Sequence, residues 1–253
     1  MSEINRIWRF VDFYKLLDLV SNRCLHLTRL DQFEDPHEGK YTPTDQQKWR
    51  DDFLIQMKKL EPDLDEKETE RLVVEQINLD RVGPRKTNFV SCWFASEYDS
   101  LAMWRLFCPS GQGVAIESTM DALYDSLPEK IGQGHYIGPV EYLDFSTESI
   151  FDSGRDLSLC KRRSFDFEKE IRLVAFQPFD PSRSTKEKLM LFPPFLRPEV
   201  NVQNLIKCVW MPPGSADWQA SMIEDLMARY GLEVDVRRSD LLNPIPGLEE
   251  NSA

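Results

Sequence analysis

Apolar and polar side chains alternate over Arg6-Ile7-Trp8-Arg9-Phe10, the period of a strand with one buried face. Asp12 then stands where a helix through Leu16, Leu17 and Val20 needs its N-cap, and Asn22 is placed to end it. Cys24 to Thr28 reads as a second short strand. An acidic loop follows, Asp31-Gln32-Phe33-Glu34-Asp35-Pro36-His37-Glu38-Gly39, which Pro36 and Gly39 turn. From Pro43 to Arg81 the period becomes helical: Trp49, Phe53, Leu54 and Met57 recur on one face, and Leu72, Val73, Gln76 and Ile77 on another, separated by Glu61-Pro62-Asp63. This predicts a helical hairpin inserted at about 43–82 into a strand-rich body and closed by Gly83-Pro84.

Beyond the insertion, strands are expected at Asn88–Phe94, Gly113–Glu117, Val140–Leu143, Ile171–Phe176, Ile206–Trp210 and Leu232–Val236. Short helices fit Asp99–Phe107 and Ala216–Tyr230, the latter ended by Gly231. Strands scattered without a regular βαβ rhythm point to an α+β class: one mixed or antiparallel-rich sheet with flanking helices and the inserted hairpin. A single α+β domain over 1–243 and a disordered tail over 244–253 complete the expected organisation.

Charge narrows the function. Lys and Arg number 31 against 43 Asp and Glu, a formal net charge of −12, so non-specific coating of duplex DNA is excluded by repulsion from the phosphates. Hydrophobic residues make up 41% and aromatics 11%, enough to rule out wholesale disorder. No apolar run reaches the roughly 20 residues of a membrane span, and the start lacks the apolar core of a secretory signal. Cys24, Cys92, Cys108, Cys160 and Cys208 are scattered without zinc or redox spacing, as expected of buried thiols in a cytoplasmic protein.

Gly132-Gln133-Gly134-His135-Tyr136-Ile137-Gly138 superficially matches a dinucleotide fingerprint, but Pro139 and a strand follow where a helix must start, so a flexible turn is the better account. His26, His37 and His135 show no ligand spacing, and no metal is expected. Asp35 beside His37 reads as a turn cap. The informative stretch is Cys160 to Val174. As a strand it places Glu168, Glu170 and Arg172 on one face and Lys169, Ile171 and Leu173 on the other. With Ile171 in the core, that face is either a carboxylate pair for acid–base work or a solvated ion-pair surface. Lys161-Arg162-Arg163 is a dense basic run, fit for a phosphate or for a helix end. Trp93 and Trp104 are either core or a stacking wall for a base or nicotinamide ring.

Five blocks together resemble a bacterial family of unknown function related to the abortive phage-infection protein AbiGi. They are Ile7-Trp8-Arg9-Phe10; Leu25-His26-Leu27-Thr28 with Phe33-Glu34-Asp35-Pro36-His37-Glu38; Phe89-Val90-Ser91-Cys92-Trp93; Leu101-Ala102-Met103-Trp104 ahead of Gly113-Val114-Ala115-Ile116; and Phe167-Glu168-Lys169-Glu170-Ile171-Arg172. The chain departs from that family at Glu34 and His37 in the turn and at Arg105-Leu106-Phe107 after Trp104. The order of an arginine, a serine and a Glu-x-Glu pair on successive strands also looks like ADP-ribosyltransferases. That resemblance implies NAD as co-substrate, Arg9 on its phosphate or ribose, and Ser91 beside the nicotinamide ribose. It further implies Glu170 at the oxocarbenium-like transition state and Glu168 activating a macromolecular acceptor. Trp93, Trp104, Lys161, Arg163 and Arg172 would line the nucleotide site. Two alternatives stand beside transfer or hydrolysis of NAD: a non-catalytic sensor or interaction module of a defence system, and a metal-dependent nuclease using Asp35, Glu38, Glu168 and Glu170.

Overall fold

The computed structural model describes residues 5–151, 154–177 and 192–243, with the side chains of 75–84 and Ser110 outside that description. In chain order the elements are β1 (Arg6–Asp12), α1 (Phe13–Asn22), β2 (Leu27–Arg29), α2 (Pro43–Leu60), α3 (Glu66–Thr87), β3 (Asn88–Ala95), α4 (Leu101–Phe107), β4 (Gly113–Thr119) and α5 (Met120–Ser126). Then come β5 (Gly134–Pro139), β6 (Glu141–Leu143), β7 (Cys160–Arg162), a 3-10 segment Arg163–Glu168, β8 (Glu170–Phe176), β9 (Phe195–Leu196), α6 (Val202–Leu205), β10 (Cys208–Met211), α7 (Asp217–Arg229) and β11 (Asp235–Arg238). Among the described residues nine strands belong to one mixed sheet, and with the flanking helices this is an α+β fold.

The chain forms two compact units. The first comprises Met1–His26, Cys92–Glu129 and Arg197–Ala253. In it β4 runs antiparallel to β1 along seven paired positions from Arg6↔Thr119 to Asp12↔Gly113, β10 adds to β4, and β11 lies parallel to β10. Asp12 caps α1 by accepting from the Lys15 amide at 2.8 Å, as its position demands. Trp8, Phe94, Met103, Trp104, Cys108 and Ala115 form one core cluster of this unit.

The second unit comprises Leu27–Ser91 and Lys130–Leu196. Its strand β2 pairs with β3 on one edge and with β9 on the other, while β8 pairs antiparallel with β5 from Pro139↔Ile171 to Gly134↔Phe176. Parallel β6 and β7 make a separate two-stranded sheet. The predicted hairpin is present as α2 and α3. Thr42 and Asp45 cap α2 reciprocally, the two orphan amides being met by one box. Helix α3 does not stop at Gly83-Pro84 but runs to Thr87. The carbonyl of its last residue, Thr87, accepts from the Gln177 amide at 2.9 Å.

Three expectations need correction. The segment around Gly134–Gly138 is not a flexible turn but strand β5. Its glycines are packed: a Cβ on Gly134 would lie 2.9 Å from the Phe176 ring, and one on Gly138 would lie 2.7 Å from Leu159. Glu168 is not on the strand with Glu170, since it ends the 3-10 segment and Lys169 turns the chain at φ +40° before β8 begins. The β8 face carrying Glu170 and Arg172 is not solvated. Those residues are 6% and 0% exposed, whereas Ile171 is half-buried. The tail 244–253 lies outside the described residues. No described helix is long and apolar enough to cross a membrane.

Candidate functional site

The second unit buries five charged side chains in one cluster: Glu38, Lys161, Glu168, Glu170 and Arg172. Local structure explains how each arrives. β7 carries Lys161 inward between the half-buried Arg162 and the buried Cys160. The αL residue Lys169 reverses the chain so that Glu168 and Glu170, flanking it, both meet that lysine. Glu38 comes from the acidic turn, where the Asp35 carboxylate accepts from the His37 amide at 2.9 Å, the Asp35 carbonyl accepts from the Glu38 amide at 3.1 Å, and Gly39 supplies φ +64°. Left-handed backbone of this kind favours glycine. Arg162 clamps Asp35 from β7 at 2.9 and 3.3 Å, fixing the turn.

The contacts are short and charge-assisted. Lys161 Nζ donates to Glu168 Oε2 and to Glu170 Oε1, both at 2.5 Å. Arg172 Nε donates to Glu170 Oε2 at 2.6 Å and its Nη1 to the Ser158 carbonyl at 2.8 Å. Its Nη2 lies 2.5 Å from Glu38 Oε1. The Glu170 amide donates to the Tyr142 hydroxyl at 2.7 Å. Lys161 also stands 4.9 Å from the Phe165 ring centroid, a cation–π distance.

These environments push the two neighbouring carboxyls apart. Burial raises Glu168 to about 7, the hydrogen bond it makes with Glu170 adds to that rise, and the Lys161 charge only partly opposes it. Burial also works against ionised Glu170, yet the Arg172 charge, the hydrogen bond from Glu168 and Lys161 hold it below the ordinary carboxylate range. Burial disfavours the charged form of Lys161, but Glu170 and Glu38 outweigh it and the ammonium is held more firmly than usual. Three carboxylates face two cations, so with Glu168 ionised the cluster carries one uncompensated negative charge. Glu168 is the most accessible of the three, its side chain 11% exposed against 5% for Glu170 and 1% for Glu38.

An open cleft of about 500 Å³ lies at the carboxyl ends of β6 and β7, lined by Leu143, Phe145, Arg162, Arg163 and Ser164 among others. Arg163 is exposed and pairs with Glu148 at 2.9 Å. Of the residues expected to receive phosphate, Lys161 and Arg172 are committed to buried carboxylates, while Arg162, paired with Asp35, and Arg163, paired with Glu148, line the cleft. Ser91 is buried to 1% on β3 in this unit.

Arg9, Trp93 and Trp104 belong to the first unit. There Arg9 donates to the His26 carbonyl at 2.7 Å and stacks 5.7 Å from the Trp93 centroid, and burial lowers its pKa to about 10. Trp93 and Trp104 are 1% and 3% exposed, and Trp104 Nε1 donates to Asp99 at 2.8 Å. They are core residues, the first of the two readings given by the sequence. Sequence reasoning grouped Glu38 with Glu168 and Glu170 only as ligands of a metal-dependent nuclease, not as a partner of Arg172, and gave Tyr142 no place in the site. The tight Asp-Pro-His-Glu-Gly turn was the available signal for Glu38.

No protein-family model, no curated protein and no solved structure matches this chain.

Proposed function

We propose that the protein cleaves the glycosidic bond of a nicotinamide dinucleotide, transferring ADP-ribose to an acceptor or to water, with Glu168 as the reacting carboxylate. The observation that supports this reading is the split between adjacent carboxyls. Glu170 is fixed as an anion with both oxygens occupied, while burial and the hydrogen bond with Glu170 push Glu168 up to about 7, in a cluster where three carboxylates face two cations. Two carboxyls driven apart in acidity mark an acid–base site.

The chemistry asks for little more. As the bond from ribose C1′ to the pyridinium nitrogen breaks, its electron pair leaves with nicotinamide and positive charge spreads over the ribose. The net negative field at Glu168 stabilises that cation. The acceptor hydroxyl forms the new bond to C1′, and its proton passes to the Glu168 carboxylate. Exposed Arg163 at the cleft offers the pyrophosphate a guanidinium fork in exchange for its surface pair with Glu148. A place in phage defence, within the cytoplasm, follows from the family resemblance alone.

The test is to incubate the full chain with NAD and follow nicotinamide release, with and without phage-infected lysate as a source of acceptor. Glu168→Gln should lower the rate at least about 100-fold with the fold retained. Intact NAD under all conditions, or an equally active Glu168→Gln protein, overturns the reading. A second reading, a non-catalytic module of a defence system, is favoured by the depth of the cluster, with Glu170 only 6% exposed. It predicts that protection of cells against phage survives Glu168→Gln.

A further inference from the structure

Glu38 is held in an unusual way for a buried carboxylate. It is 2% exposed, its Oε1 forms an ion pair with Arg172 Nη2 at 2.5 Å, and neither of its carboxylate oxygens meets hydrogen-bond geometry with a partner among the described residues. Leaving a buried carboxylate oxygen unmet is costly, so the turn that delivers Glu38 is over-determined by other contacts: the Asp35 clamp from Arg162, the Asx bond to His37 and the left-handed Gly39. What Glu38 does in return is electrostatic. Arg172 is shared between Glu38 and Glu170, Glu170 is shared between Arg172 and Lys161, and Lys161 is shared between Glu170 and Glu168.

We infer that Glu38 is a positioning residue that sets the protonation state of Glu168 through the alternating chain Glu38, Arg172, Glu170, Lys161, Glu168. As a role in catalysis this rests on the reading of Glu168 as the reacting carboxylate. The groups facing Glu168 are Tyr142 from β6, Lys161 from β7 and Glu170 from β8, with Arg172 and Glu38 behind them. Loss of the Glu38 charge acts twice in one direction. It removes a negative potential that disfavours ionised Glu168 directly, and it frees Arg172 to neutralise Glu170 more completely. Both changes make Glu168 easier to ionise.

The experiment needs no substrate. In the full chain with ¹³C-labelled glutamate, the Glu168 carboxyl resonance is identified by its loss in Glu168→Gln and is then titrated. Glu38→Gln should move its midpoint down by about 1 pH unit. Glu38→Asp, which keeps the charge but draws it back from Arg172, should move it the same way by less. A midpoint unchanged in a folded Glu38→Gln protein overturns the inference. If Glu38→Gln does not fold, an unchanged midpoint in Glu38→Asp does so. If the wild type releases no nicotinamide while the midpoint still moves, the proposed activity fails and the electrostatic coupling stands. If nicotinamide is released, the acid limb of the rate profile should follow the midpoint to lower pH in the variant.

Discussion

Glu170 and Arg172 stand two residues apart on one face of β8, and Arg172 Nε donates to Glu170 Oε2 at 2.6 Å with neither side chain open to solvent. A pair on one strand face is ordinarily a weak surface contact. Here it is the centre of a buried ionic chain, and the desolvation of every member is offset only while all its partners are present.

Removing the shared cation should therefore be severe. Arg172→Met leaves Glu170 and Glu38 buried without it, and the expected loss is about 3–5 kcal/mol in urea unfolding. The control is Arg163→Met, whose side chain is 62% exposed and whose expected cost is about 1 kcal/mol or less.

Stability should also depend on pH in a way that identifies Glu168. Its folded pKa, about 7, lies above its ordinary value of 4.5. Between those two values the folded state binds more protons than the unfolded state, so stability falls as pH rises through that window. The fall is on the order of 3 kcal/mol at most. Glu170 has the opposite sign. Its lowered pKa stabilises the fold above about pH 4.5, and that contribution disappears as pH drops below it. Urea midpoints across this range should peak near the crossover at about pH 5, and Glu168→Gln should abolish the decline on the alkaline side.

The loop flanking the cleft is tied to helix α2 by one carboxylate. Asp45, 1% exposed, accepts from Thr42, from the Ser149 hydroxyl and from the amides of Ile150 and Phe151 at 3.0 and 3.2 Å. Asp45→Ala should cost about 3 kcal/mol, since several hydrogen bonds to one charged group are lost together. Hydrogen exchange at the Ile150 and Phe151 amides should accelerate more than exchange in β8.

In the first unit, Gly113 is a contact glycine. A Cβ there would sit 2.5 Å from the Val11 carbonyl and 2.6 Å from Cys108 Sγ. Because the nearest atom is backbone and β1 is paired to β4 along its length, the clash cannot be relieved by a rotamer change. Gly113→Ala should destabilise by about 1–3 kcal/mol in thermal unfolding.

Much of the fold was legible in the chain because its signals are local. The switch from period two to helical period after Pro43 placed α2 and α3, the Asp12 cap placed the start of α1, and the apolar run from Phe89 placed β3. Strand β5 was not legible. A glycine-rich segment has no strand signature of its own, and its extended form comes from pairing with β8, which is remote in sequence.

The site divides along the same line. By itself the sequence determined that Glu168, Lys169, Glu170 and Arg172 would concentrate charge near a basic run, since adjacency and residue type alone require it. Only tertiary structure decided the rest. It turned Lys169 left-handed so that Glu168 left the strand face, it brought Lys161 between the two carboxylates, and it delivered Glu38 from a distant turn onto Arg172. The physical reason is that a charge's state depends on its burial and on the neighbours within a few ångströms. The fold supplies both, and sequence spacing specifies neither.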